Sequence, residues 1–274
     1  MDDANPRRAL VTGASAGIGE AFARQLASCG YRLVLTARRA DRLNTLAEEL
    51  RERHHVDVQI IALDLADPQA PAQLVAELAH RQLCIDMLVN NAGYGVPGHF
   101  DAVPWSTHAQ FLQVMVTAPT ELSHRLLPAM RARGYGYIIN VASLAGLMPG
   151  TAGQSLYAAA KAYLIKFSQS LSLENLPAGV HVTAVCPGLT RSEFHDVTGS
   201  RSLVSKLPRW LWMDADTVVR QSLAAVGHGD AVYVNGWVNR MIKIAFKLLP
   251  DRMALRMVGR RSADFRAQET ATHP

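Results

Sequence analysis

Arg8-Ala9-Leu10-Val11-Thr12-Gly13-Ala14-Ser15-Ala16-Gly17-Ile18-Gly19 is a short apolar run that breaks into three spaced glycines and then into a helical pattern. Glycine lets the backbone turn tightly and approach a ligand closely. The helix that follows, read over 18–28, offers free N–H groups and the positive end of its dipole, which suits a pyrophosphate. The same alternation recurs along the chain. Apolar, β-branched runs at 8–12, 32–37, 58–63, 87–90, 137–142 and 180–186 are separated by helical patterns such as 18–28, 42–53, 69–80, 108–133 and 155–176. Strands this continuously apolar are covered on both faces, as in a parallel sheet with crossover helices. The expected fold is α/β: a Rossmann-type doubly wound parallel sheet with helices on both faces, in a single domain. Its ligand is expected at the carboxyl ends of the strands.

The second strand supplies a specificity signal. In dinucleotide folds an acid about 20 residues beyond the turn holds the ribose hydroxyls. Here the strand ends in Thr36-Ala37-Arg38-Arg39, with no acid until Asp41. Two guanidiniums suit a 2′-phosphate, which points to NADP(H) in preference to NAD(H). The other reading is that one or both arginines simply start the next helix on the surface.

Downstream, Tyr157 and Lys161 stand four residues apart in the run Ser155-Leu156-Tyr157-Ala158-Ala159-Ala160-Lys161. On a helix this spacing stacks the two side chains on one face. An ammonium beside a phenol is expected to lower the phenol's pKa from about 10, making it a usable acid near neutral pH.

These motifs, in this order, resemble the short-chain dehydrogenases/reductases of the classical type over roughly residues 8–188. Thr12-Gly13-x-x-x-Gly17-x-Gly19 is similar to the family's cofactor turn, and Asp64 to the acid that meets the adenine ring. Asn90-Asn91-Ala92-Gly93 resembles the segment that steadies the sheet and lines the cofactor site. Ser143 resembles the catalytic serine, Tyr157 and Lys161 the tyrosine–lysine pair, and Pro187-Gly188 the turn over the nicotinamide. The resemblance implies Ser143, Tyr157 and Lys161 as the catalytic set. It implies a cofactor site of Gly13, Ser15, Gly17, Ile18, Gly19, Arg38, Arg39, Asp64, Leu65, Asn91, Ala92, Gly93, Tyr157, Lys161, Pro187 and Gly188. Ser143 would polarise a carbonyl, Tyr157 would act as acid or base, and Lys161 would hold the ribose hydroxyls. The implied activity is hydride transfer between NADPH and a ketone or aldehyde, or the matching alcohol, by a homo-oligomer.

One position departs from the family. Where it carries an asparagine that helps hold a proton-relay water, this chain has Met115, in Val114-Met115-Val116-Thr117-Ala118. A thioether is a weak acceptor and no donor. Either another group such as Thr117 supports the relay, or turnover is slow, or the protein is a non-catalytic NADP-binding interaction partner. Met also simply fills gaps in helix packing.

The remaining features concern the tail, the substrate and the compartment. The chain holds 28 Lys+Arg and 23 Asp+Glu; residues 238–274 contain 8 and 3 of these, so residues 1–237 balance at 20 each. That neutral body argues against nucleic acid. Residues 1–237 are read as the catalytic body, with a substrate loop at 189–213, and 238–274 as a basic amphipathic extension. Trp210 and Trp212 in the loop favour a hydrophobic or acyl substrate, or else pack on the body or a second subunit. In the extension, Arg240, Lys243 and Lys247 share a helical face, with Met241, Ile244, Ala245 and Leu248 largely opposite. Such a helix, within 238–261, can lie on an anionic membrane, or cover the body or a partner. Met1-Asp2-Asp3-Ala4-Asn5-Pro6 carries acids where a signal peptide carries bases, so a cytoplasmic location is expected. Cys29, Cys84 and Cys186 sit in apolar segments and are expected as buried, reduced thiols. The histidines, His54-His55 included, show no metal-site spacing, and no metal is assigned.

Overall fold

In β1 (Arg8–Thr12), Ala9 and Val11 point into one apolar cluster and Leu10 into another. Leu33 and Leu35 against Val34 in β2 (Arg32–Thr36), and Met87 and Val89 against Leu88 in β4 (Met87–Asn90), divide in the same way. Period-two alternation with both faces apolar requires a layer on each side of the sheet. A computed structural model, describing residues 7–193 and 207–267 with side chains through Gly259, shows both layers.

The sheet has seven parallel strands in the order β3-β2-β1-β4-β5-β6-β9. The remaining strands are β3 (Val58–Ile60), β5 (Gly136–Val141), β6 (Val180–Cys186) and β9 (Val232–Val234). One face carries α1 (Gly17–Ser28), α2 (Ala40–His54) and α7 (Ala215–His228), which pack Phe22, Leu26, Leu43, Leu46 and Val219 onto it. The other carries α3 (Ala70–His80) and α5 (Ala118–Arg133) through Leu74, Leu78, Leu122 and Met130, with α6 (Ser155–Asn175) beside them. This is the doubly wound sheet expected from the sequence, with a switch point where β1 and β4 meet.

Several local expectations need correction. The helix read over 108–133 is α4 (Trp105–Leu112) joined to α5 through a π-helical turn, Gln113–Thr117. β2 and β3 stop short of Ala37 and Leu63. β9 lies outside the six apolar runs because Val232–Val234 is only three residues long, although Gly229-Asp230 and Asn235-Gly236 bracket it. Cys29 and Cys84 are exposed, and only Cys186 is buried. Of the loop at 189–213, residues 194–206 lie outside the described residues, as do residues 1–6 and the side chains of Arg260 and Arg261. The two described ends of that loop pair as a parallel ribbon, β7 (Thr190–Arg191) with β8 (Met213–Asp214).

The C-terminal segment forms α8 (Trp237–Leu248) and α9 (Asp251–Ala267). α8 packs directly on the body: Asn239 is buried, and a Cβ on Gly188 would lie 2.4 Å from its Oδ1. Ile242 joins the cluster of Leu164, Ile165 and Val234. The side of α8 that meets the body is therefore Asn239, Ile242 and Phe246, while Met241, Ile244, Ala245 and Leu248 face outward. Among the described residues no helix is long and apolar enough to cross a membrane.

Candidate active site

The glycine turn is bound to the end of β4 by a small set of polar contacts. Thr12 Oγ1 donates to Val89 O and accepts from the backbone N–H groups of Asn91 (2.9 Å) and Ala92 (3.0 Å). The Asn91 amide donates back to Thr12 O and Gly13 O. Gly13 and Gly17 take φ of 65° and 59°, which side chains disfavour. Gly19 is required by proximity, since a Cβ there would lie 2.3 Å from Gly13 O. These contacts leave the N-terminus of α1 open toward the cleft.

At the end of β2, Arg39 donates to Ser15 Oγ (3.1 Å) and to Ser15 O, drawing one guanidinium back over the glycine turn. Its other arm meets Glu193 at 3.1 Å, and Arg42 meets the second oxygen of the same carboxylate at 2.6 Å. Hydrogen bonds from Arg42, together with Arg39, hold the Glu193 carboxyl below its ordinary range. Arg38 is exposed beside them. Arg42 and Glu193 escaped the sequence reading. The Arg39-x-x-Arg42 spacing, which puts both on one side of the first turn of α2, was the available signal for the former. Nothing local marks Glu193, 151 residues away.

Ser143 and the tyrosine–lysine pair meet at the ends of β5 and β6. Ser143 begins a 3-10 turn, Leu144–Leu147, where its Oγ accepts from Ala145 N–H at 3.1 Å. Leu144 N–H donates to Pro187 O at 2.8 Å, which ties the serine loop to the Pro187-Gly188 turn. Lys161 is 5% exposed and donates to Val141 O at 2.7 Å, its ammonium 5.7 Å from the centre of the Tyr157 ring. Burial pushes the Tyr157 phenol up to about 12, against a smaller downward pull from its hydrogen bond with Ser143. This corrects the expected depression by Lys161: desolvation outweighs a cation that is turned toward a backbone carbonyl. Burial likewise pulls Lys161 down to about 8, and pushes the thiol of Cys186 up to about 12.

Behind these groups, the polar chain Asn90–Asn140–Ser168 crosses the sheet in buried hydrogen bonds of 2.8 Å. It links β4, β5 and α6 and so sets how α6 presents Tyr157 and Lys161. Met115, at the π turn, is 1% exposed and packs with Phe111 and Ala160 beside Tyr157 and Tyr94. A Cβ on Gly93 would lie 2.7 Å from the Met115 sulfur, so the thioether occupies the space over that glycine. Thr117 is exposed and does not line the cleft.

All of these elements border one cleft of about 1070 Å³. Every anticipated catalytic and cofactor residue lines it except Gly19, which is buried beneath the turn against Gly13. A sequence model of the short chain dehydrogenase family matches residues 7–201. The chain belongs to the short-chain dehydrogenases. As a member of that family it is 39% identical over 190 residues to a sulfoacetaldehyde reductase of Chromohalobacter salexigens, a match covering 68% of this chain and 73% of that one. A short-chain dehydrogenase from Sphingobium yanoikuyae, solved in complex with NADPH, superposes with a TM-score of 0.78 at 31% identity, covering 89% and 96% of the two chains. The bulky-bulky ketone specific alcohol dehydrogenase of Comamonas testosteroni gives 0.74 at 29% identity, covering 90% and 96%. Among short-chain dehydrogenases this chain is an oxidoreductase with the family's fold, and its cleft has Arg38 and Arg39 at one side and the buried Lys161 at the other.

Proposed function

We propose that the protein is an NADPH-dependent reductase of hydrophobic ketones or aldehydes. The observation that carries this reading is the convergence of Ser143, Tyr157 and Lys161 on the same cleft as the glycine turn and the β2 arginines. The residues fit a dinucleotide: Gly13, Gly17 and the N-terminus of α1 border the cleft, and Arg38 and Arg39 line it with Arg42 behind them, cations suited to a 2′-phosphate. NADPH in the Sphingobium relative agrees with this choice over NADH. When bound, the cofactor supplies the hydride.

The chain's own residues then manage the oxygen. Ser143 donates a hydrogen bond to the substrate carbonyl, polarising it, and Tyr157 gives its phenolic proton to the developing alkoxide. A phenol held protonated by burial is available as the proton donor of the reductive step. Lys161, donating to Val141 O, keeps two further N–H bonds for ribose hydroxyls and stabilises the phenolate left behind. Apolar side chains from Leu144, Met148, Leu207, Trp210, Ile242 and Phe246 line the rest of the cleft, which supports a bulky, hydrophobic carbonyl or acyl substrate.

Met115 supports a second reading. With a thioether at the relay position and Thr117 facing solvent, a protein that binds NADPH without efficient turnover is the alternative. NADPH oxidation against bulky ketones, aldehydes and β-ketoacyl thioesters separates the two. Turnover that Tyr157→Phe abolishes supports the reductase; NADPH binding without turnover, rescued by Met115→Asn, supports the binder. The same proposal places the protein in the cytoplasm as a homo-oligomer, a common state in this family. Exposed Leu173 and Leu176 at the end of α6 offer one apolar patch for self-association, and light scattering gives the mass.

A further inference from the structure

α8 uses its two sides differently. Asn239, Ile242 and Phe246 line the cleft. On the opposite side Trp237, Met241, Ile244 and Leu248 recur at i, i+4, i+7 and i+11 and remain 76%, 56%, 48% and 79% exposed. At 3.6 residues per turn these four form one narrow stripe. Arg240 and Lys247 run along one edge of it. Arg240 is held in place by donating to Val234 O and by lying over the Tyr233 ring, 4.8 Å from its centroid. The helix contains no acidic residue. Four large apolar side chains in a continuous exposed row mark a surface made for a partner, whereas single exposed apolar residues do not.

We propose that this face of α8 docks on an anionic lipid bilayer, with the helix lying in the interfacial plane. Charge selects the occupant. The chain's whole excess of basic over acidic residues falls within 238–274. Two copies packed antiparallel about a two-fold axis through the stripe would set Arg240 of one copy near Lys247 of the other, like charge facing like. An anionic surface instead takes the apolar row at the acyl boundary and the cations among the phosphates. No described helix spans a bilayer, so the contact is peripheral. Because the reverse side of the same helix walls the cleft, docking brings the cleft to the lipid surface. Delivery of a bilayer-dissolved carbonyl rests on the reductase reading; the docking itself does not.

Co-sedimentation of the full chain with vesicles tests the proposal. Vesicles of phosphatidylcholine with phosphatidylglycerol should carry the protein down in a salt-dependent way, and phosphatidylcholine alone should not. Ile244→Glu/Leu248→Glu should abolish sedimentation with an unchanged circular dichroism spectrum and melting curve. Lys247→Ala, at an exposed site, should weaken partitioning about fivefold, and decides the matter if the double variant melts differently. Failure of the native protein to bind anionic vesicles overturns the proposal. So does binding indifferent to these variants, or a native oligomer, seen by light scattering, that the double variant dissociates. Each of these readouts is independent of turnover.

Discussion

At the β2 end of the cleft, Arg39 and Arg42 share the carboxylate of Glu193 in water-exposed ion pairs of 3.1 and 2.6 Å. At the β5–α6 end a lysine is sunk to 5% exposure with a backbone carbonyl as its partner and a phenol beside it. Charges in water are screened, so the first end adjusts affinity by salt-sensitive amounts. Desolvation at the second moves Tyr157 and Lys161 by whole pKa steps, enough to decide which group carries a proton. Binding selectivity and chemistry thus fall to opposite ends of one cleft and to different physical regimes.

The sharpest break in this division is Tyr157→Phe. It should lower kcat for carbonyl reduction by about 10²–10⁴-fold while leaving NADPH affinity within about threefold, checked by steady-state rates and cofactor titration. If affinity and turnover fall together, the two ends are not separable. Next, Arg39→Ala/Arg42→Ala should weaken NADPH about 10–100-fold with NADH nearly unchanged, and added salt should shrink the difference.

The buried end also predicts a pH profile. Lys161 is charged below about 8 and loses its proton as pH rises through that value, while Tyr157 stays protonated to about 12. Reductive kcat/KM should therefore hold below pH 8 and decline above it, by up to about tenfold per pH unit. A decline that begins on the acid side would mean another group controls the step. Met115→Asn sets an amide in the pocket formed by Phe111, Ala160 and Gly93. It should cost about 1–3 kcal/mol in chemical denaturation whatever it does to the rate. The smallest effect belongs to the exposed end: Glu193→Gln frees both arginines and should tighten NADPH by no more than about fivefold, the scale of a surface ion pair.

How far each end was legible in the sequence follows from the same contrast. The glycine turn, Arg38, Arg39, Ser143, Tyr157 and Lys161 are local patterns at strand ends, where chain direction and spacing already dictate what faces the cleft. The partnership of Arg39 with Glu193 joins residues 154 apart, and the buried row Asn90–Asn140–Ser168 joins three elements. No periodicity encodes either. α8 shows the limit most plainly: its amphipathicity was readable, but the side turned inward was not the one with the longest apolar row.

By itself the sequence determined the alternation of strands and helices, the parallel sheet that follows from strands apolar on both faces, and the set of chemical groups at the strand ends. These depend on period, chirality and glycine's freedom, all of which act within a few residues. Only the tertiary structure decided the protonation of Tyr157, the turn of Lys161 toward Val141 O, and the exposure of the Trp237–Leu248 stripe. Each is set by how much water the packed neighbours leave, a quantity that exists only once distant segments have come together.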